Sequence, residues 1–414
     1  MITDRGIVIT GIGVLSPIGI GKDSYWESLF HGKTGFNSIS LFDTSNFNVH
    51  IAGEIKDFDP VLFLGKKGLR DLDRSTRLIC SAAKLAIDEA HFQITDENTH
   101  STGVSIGTTF GSLHSISQFD REGLIEGPRY VNPSHFPNTV INSPASQVSI
   151  RYKIKGFNTT ISTGFCASLD AVSYAADFIR LNRADIVLAG GVEELCEETF
   201  MGFHNLGCLS GTDGSEPICC PFDARRNGTI LSEGAAVLVL EDEEHALNRN
   251  AVILSRVLGY GNAFDPSADN SFNHAGHGLE NAIAHALKDA SLNPEDIDYI
   301  SACSNSTKGL DRMETKVIKD IFGKHAYKIP VSSIKSMVGE CFSASGALSL
   351  AAAIGAIKKE FIPPTINYVE KDYDCDLDYV PNKSRRQRIN NVLITAADPY
   401  GNNSAILLGR YNRG

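Results

Sequence analysis

Thr159 to Ala171 reads TTISTGFCASLDA, and the order of residue types in this stretch decides how the rest of the chain is read. A β-rich approach leads into a Gly164-Phe165 turn, and Cys166 then opens an alanine-containing helical run. A cysteine at a helix start lies beside unpaired backbone N–H groups and the positive end of the helix, which predicts a lowered thiol pKa. Thiolate is the species that attacks thioesters. An arbitrary cysteine is more commonly a buried apolar filler, so a nucleophilic Cys166 has to be supported by what surrounds it.

Working outward, short aliphatic runs punctuate the chain at Ile7 to Val14, Val104 to Ile106, Ile186 to Ala189, Ala236 to Leu240, Ile300 to Cys303, Val392 to Ala396 and Ala405 to Leu408. These read as buried strands. Helical spacing occupies Ser75 to Ala90, Ala167 to Leu181, Gly278 to Ala290, Thr315 to Phe322 and Ala347 to Lys358, so the alternation predicts an α/β protein. IVLAGG at 186–191 followed by AAVLVLE at 235–241 is echoed by VLITAA at 392–397 followed by AILLG at 405–409. Likewise Cys166 precedes one alanine-rich helix and Ser343 to Ser345 precede another. The echo predicts two similar halves in one packed unit, 1–250 carrying Cys166 and 251–414 completing the site.

The net charge of -11, with basic residues scattered, excludes a phosphate-gripping nucleic-acid binder. An acidic carrier would need a local basic patch. The start MITDRGIVIT lacks the pattern of a signal peptide, and no apolar run reaches about 18 residues. The nine cysteines are an odd number without C-x-x-C spacing. A cytoplasmic, metal-free protein is expected. His274 and His277 form a local pair in NHAGHG, but Gly-rich context and missing further ligands make them solvated or tunnel-mouth residues. Gly11 and Gly13 imitate a dinucleotide fingerprint without a correctly placed third glycine and helix, so no nucleotide cofactor is expected.

The nucleophile stretch resembles that of elongating β-ketoacyl carrier-protein synthases and the ketosynthases of type II polyketide systems. The resemblance extends through IVITGIGVLSPIG (7–19), GTTFGSL (107–113), PFDARRNG (221–228), Glu233-Gly234, VSSIKSMVG (331–339), PPTIN (363–367) and CDLDYVP (375–381). It implies a thiolase-type αβαβα layered fold, a homodimer, and a tunnel for the phosphopantetheine of an acyl carrier protein leading to the cysteine, with no other cofactor. It also implies an oxyanion hole from the backbone N–H groups of Cys166 and Tyr400, and contacts from Asn305 and Thr307 to the pantetheine arm. Asn305 stands where the family has threonine. The loop PYGNNS (399–404) has lost glycines of the family's gating loop, so it is expected to be stiffer.

Both histidines that assist the family's cysteine are replaced. SACSNST (301–307) puts Cys303 at the first position and KSMVGE (335–340) puts Glu340 at the second, while Lys335, Asp311 and Glu314 match polar residues of the family's site. Acyl loading needs a thiolate and an oxyanion hole, so it should survive. Decarboxylative elongation also forms an enolate, and losing one donor to it typically costs about 10² to 10³ in rate. A thiol is a weak donor and a carboxylate repels an enolate. Glu340 has three open roles: a protonated donor, a general base, or a structural partner of Lys335. Cys303 reads as a small tunnel-lining residue or a second acyl carrier, and Phe165 as a bulky group shortening or redirecting the pocket. The expected function is acyl transfer from a carrier-protein thioester to Cys166, followed by condensation or transfer in fatty-acid, polyketide or other secondary-metabolite biosynthesis. The alternative is a non-catalytic partner like the chain-length-factor subunits, forming a heterodimer with an active ketosynthase.

Overall fold

The computed structural model describes residues 5–267, 272 and 275–412. Ten strands lie on one path through an eleven-stranded sheet. In chain order they are β1 (Ile7–Ser16), β2 (Thr102–Gly107), β3 (Asn158–Ile161), β4 (Ile186–Glu193), β5 (Gly234–Asp242), β6 (Ser255–Phe264), β7 (Tyr299–Ser301), β8 (Val331–Ser332), β9 (Asn391–Ala397) and β10 (Asn402–Gly409). The spatial order is β8-β7-β9-β10-β6-β1-β5-β4-β2-β3, with Gly19–Ile20 attached to the end of β1.

The order is palindromic in type. β3, β2 and β4 run parallel, and β5 and β1 follow antiparallel. In the other half β8, β7 and β9 run parallel, and β10 and β6 follow antiparallel. Two similar halves therefore join where β1 pairs with β6 through Ile7 to Ile9. The sequence echo corresponds to the pairs β4–β5 and β9–β10.

Six of the helices among the described residues matter here: α1 (Arg74–Glu89), α2 (Ser143–Tyr152), α3 (Ala167–Arg180), α4 (His277–Ala290), α5 (Lys308–Phe322) and α6 (Ser343–Lys359). Between the halves sit α3, against β2, β4 and β10, and α6, against β4, β5 and β9. On the outside α1 covers β1 and β5, and α4 covers β6 and β10. This is the layered αβαβα arrangement. The sandwiched position of α6 explains its composition, SASGALSLAAAIGAIKK, buried throughout from Ser343 to Ile357.

Gly11 and Gly13 lie in β1, where an added Cβ would come within 2.2 Å of the Ala86 carbonyl oxygen and 1.9 Å of that of Ala82. They permit close approach of α1 to the strand, and this packing accounts for the nucleotide-like spacing. Asp73 caps α1 by accepting from the Thr76 N–H at 2.8 Å.

Two boundaries differ from expectation. The helix read over Thr315 to Phe322 begins at Lys308, and Cys303 lies beyond β7 in a loop. Among the described residues no helix is long and apolar enough to cross a membrane, and no group of three His, Cys, Asp or Glu could hold a metal ion. His277 opens α4 with its Nδ1 3.3 Å from Glu280, and its expected companion His274 lies outside the described residues.

Candidate active site

The nucleophile turn is a 3₁₀ segment, Gly164–Cys166, running directly into α3. Gly164 adopts φ +58°, and an added Cβ would lie 2.0 Å from Asp398 Oδ2. Gly164→Ala therefore combines a left-handed penalty with a carboxylate clash, and is expected to lower stability by about 1–3 kcal/mol and to slow thiol acylation, read by thermal melting and by adduct rate.

Cys166 is fully buried, and its thiol donates to the Asn402 carbonyl oxygen at 3.3 Å. The lowered pKa expected from the helix start is not what the surroundings produce. Burial pushes the thiol well above its usual value, the nearby Asp170, Asp398 and Cys303 add to this, and Lys335 opposes them. Loss of solvent is the largest of these effects.

The expected oxyanion donors are both engaged. The Cys166 N–H donates to the Thr163 carbonyl at 3.2 Å, and the Tyr400 N–H to Asp398 Oδ1 at 2.9 Å. Tyr400 itself is half exposed.

A cleft of about 530 Å³ lies beside this turn, lined by Phe165, Asn305, Thr307, Glu340, Tyr400 and Cys208, among others. The expected pantetheine residues and Glu340 thus share one cavity. The cleft is walled by Phe165, which also lines a cavity of only about 10 Å³ with Cys303, Lys335, Ser345 and Thr395. That is roughly the volume of one water-sized group. Phe165 is buried and packs 5.2 Å from the Phe342 ring, which meets Phe110 and Phe203 at 5.3 and 4.9 Å.

Glu340 is saturated with donors. Its Oε2 accepts from Lys335 Nζ and Asn305 Nδ2, each at 2.8 Å. Its Oε1 accepts from Ser345 Oγ at 2.9 Å and from the Phe342 N–H at 3.1 Å. Burial pulls Lys335 down, but the Glu340 carboxylate, with Cys303 and Glu314 adding to it, more than offsets this and leaves the ammonium above its usual value. Four donors and no acceptor around the carboxylate are the surroundings of an anion. Of the three roles open to Glu340, partner of Lys335 is the one this geometry favours.

Cys303 is held from behind. Its N–H donates to Glu314 Oε1 at 3.0 Å, its thiol to the same oxygen at 3.4 Å, and the Ser304 N–H donates to Glu314 Oε2 at 2.8 Å. The Asn305 N–H donates to Asp311 Oδ1 at 3.1 Å. Burial pushes Asp311 up to about 7 although Arg226 opposes the shift. Spaced three apart on α5, Asp311 and Glu314 point together at the 303–305 loop and fix its backbone.

Two site carboxyl groups escaped the sequence reading. Asp170 lies one helical turn after Cys166 and is bonded by Thr163 Oγ1 and Asn262 Nδ2; the i, i+4 spacing was its signal. Asp398 lies one residue before the 399–404 loop, its carboxylate bonded within the turn by the Tyr400 and Asn402 N–H groups, and only its approach to Gly164 is a tertiary contact.

Sequence comparison places the chain in a wider group. The profile described as "Beta-ketoacyl synthase, N-terminal domain" matches residues 4–246, and the corresponding C-terminal domain matches 254–369. The chain is 37% identical over 408 residues to a 3-oxoacyl-[acyl-carrier-protein] synthase 2 of Coxiella burnetii, covering 98% of this chain and 99% of that protein. It is 34% identical to the protein of the same name from Synechocystis, covering 98% of each. Among solved structures, the ishigamide ketosynthase/chain length factor superposes with TM-score 0.92 at 33% identity, over 99% of this chain and 100% of the other. A type II polyketide synthase acyl-carrier protein in complex with its ketosynthase bound to the hexaketide gives TM-score 0.90 at 31% identity, over 98% of this chain and 100% of the matched one.

Proposed function

The chain belongs to the beta-ketoacyl synthase family, and from that premise we propose that Cys166 takes an acyl group from the phosphopantetheine thioester of an acyl carrier protein, while the chain alone does not carry out efficient decarboxylative elongation. The family performs acyl transfer and condensation in fatty-acid or polyketide biosynthesis.

In loading, the Cys166 sulfur attacks the thioester carbonyl, the bond from carbonyl carbon to pantetheine sulfur breaks, and the thiol proton ends on the departing pantetheine sulfur. No net acid or base is consumed. Asn305 and Thr307 stand in the cleft wall where an arriving arm would pass, with Asn305 Oδ1 already accepting from Thr307 Oγ1 at 2.7 Å.

The observation that carries the second half of the proposal is the Lys335–Glu340 pair. A family ketosynthase presents imidazole to the enolate oxygen, whereas this cleft presents a carboxylate that has no proton to donate and already accepts from four donors. Cys303 cannot substitute, because its thiol is directed to Glu314. Condensation or transfer to an acceptor that needs no enolate stabilisation remains within reach of an acylated Cys166.

A second reading, a non-catalytic subunit paired with a histidine-bearing ketosynthase, is favoured by the complete burial of Cys166 and the engagement of both expected oxyanion donors. Pairing of either kind is supported by the free edge strand β3, near which α2 exposes Ile150 and the preceding segment exposes Phe136 and Ile141.

The experiment that separates these readings is intact-mass analysis after incubation with acyl-loaded carrier protein. An adduct of one acyl group on the chain is expected. No adduct, with a histidine-bearing ketosynthase loading normally beside it, would leave the partner reading standing and remove the acyl-acceptor reading.

A further inference from the structure

Asp398 is almost fully buried, yet its carboxylate is the most heavily bonded group of the 398–402 turn. Its Oδ1 accepts from the Tyr400 and Asn402 N–H groups, each at 2.9 Å, and its Oδ2 accepts from Asn402 Nδ2 at 2.9 Å. Its own N–H donates to the Asn402 carbonyl at 3.0 Å, and that carbonyl also receives the Cys166 thiol at 3.3 Å. On the other side the carboxylate abuts the nucleophile turn at Gly164. One side chain thus closes the turn, holds the backbone N–H that the reaction would need, and touches the segment bearing the sulfur.

We propose, resting on the reading of Cys166 as acyl acceptor, that Asp398 is a positioning residue acting as a latch: its carboxylate occupies the Tyr400 N–H in the resting protein, and it must give that N–H up before the thioester oxygen can be stabilised. An N–H well aligned to one carboxylate oxygen is not available to an oxyanion. The Tyr400 ring lies half exposed on the cleft wall, so an arriving pantetheine arm meets it first. The Tyr400 N–H belongs to the 399–400 peptide, which turns about the Pro399 ψ and Tyr400 φ bonds, and Gly401, at φ +104°, follows it as the residue able to absorb a compensating backbone change. Carrier arrival and nucleophile activation are coupled through this turn.

The charge acts in the same direction. Facing Cys166 are the carboxyl groups of Asp170 on α3 and Asp398 on the turn, the Cys303 thiol, and Lys335 as the opposing cation. Burial raises the pKa of both carboxyl groups as well. Removing the Asp398 carboxylate takes away one of the groups that hold the thiol protonated.

Two variants separate the bond from the charge. Asp398→Asn keeps an oxygen for the Tyr400 N–H and removes the charge, whereas Asp398→Ala removes both. Iodoacetamide alkylation of Cys166 is followed against pH by peptide mapping, and acylation by intact mass with an acyl N-acetylcysteamine thioester. In Asp398→Asn the alkylation midpoint moves down by about one pH unit, giving roughly tenfold faster alkylation near neutrality. In Asp398→Ala acylation gains a further factor of about 10 to 100, part of what one oxyanion donor is worth. Unchanged midpoints in both variants, or acylation of Asp398→Ala at or below the wild-type rate, overturn the latch. Should Asp398→Ala not fold, Asp398→Leu, of similar size and without an acceptor for the Tyr400 N–H, takes its place with the same expected and contrary outcomes. No acyl adduct on any variant or on wild type, with alkylation proceeding, overturns instead the reading of Cys166 as acyl acceptor.

Discussion

Replacing Cys166 with alanine abolishes the acyl adduct, lowering the loading rate by a factor on the order of 10⁶, the scale seen when a covalent enzyme loses its nucleophile. The size of the effect follows from the absence of a substitute at the same place. Cys303, the nearest alternative by role, is buried, donates to Glu314, and is pushed well above the usual thiol pKa by burial and by Glu314. Cys208 lines the cleft and is partly exposed, so it is the one thiol that an incoming thioester could meet by accident. Peptide mapping after incubation with acyl-loaded carrier protein settles the position: the acyl group is found on the Cys166 peptide in wild type and on no peptide in Cys166→Ala. Retention of the adduct on Cys208 would move the acceptor to the cleft wall.

Glu340→Gln is expected to destabilise the protein by about 3–5 kcal/mol, because it leaves the Lys335 ammonium buried without its counter-charge. For a chain of this length that is a fall of roughly 3–6 °C in Tm. The substitution is isosteric but chemically adverse: an amide nitrogen would face two of the four donors, where the carboxylate accepts from all of them. The sign of the pH dependence is fixed by the direction of the lysine shift. Lys335 stands above its ordinary value when folded, so the stabilisation is complete at neutral pH and is lost as pH rises through that raised value. Lys335→Met combined with Glu340→Gln is expected to be more stable than Glu340→Gln alone, which a double-mutant cycle by thermal or denaturant unfolding measures. A general base at 340 would show a different pattern, with turnover lost and stability kept.

Much of the fold could be read in the sequence because its strands are continuous aliphatic runs and its internal echo marks homologous strand pairs. What escaped was set by tertiary contacts. The first half of α5 was missed because its buried face carries Asp311 and Glu314, polar residues bonded to the 303–305 loop, and these interrupt the apolar period that announces a helix. β6 was missed because Gly259 and Gly261 break its alternation. Within the site, the helix-start position of Cys166 was legible but its full burial was not, and burial reverses the direction of its pKa. That Cys303 and Glu340 stand where the family has its histidines rests on the sequence resemblance alone. That Glu340 would be saturated by Lys335, Asn305, Ser345 and the Phe342 N–H required the fold, since these groups come from different segments around one buried point.

Loading and elongation are proposed to be separate capacities in this chain, the first kept and the second lost. This separation is tested by acylating the wild-type protein from acyl-carrier protein, removing excess donor, adding malonyl-carrier protein, and following both the Cys166 adduct and the carrier-bound products by mass. The expected result is a persistent acyl-Cys166 adduct and no carrier-bound product longer by two carbons within the time in which a histidine-bearing family member converts all of its adduct. Disappearance of the adduct with stoichiometric appearance of the elongated β-ketoacyl-carrier protein would contradict it.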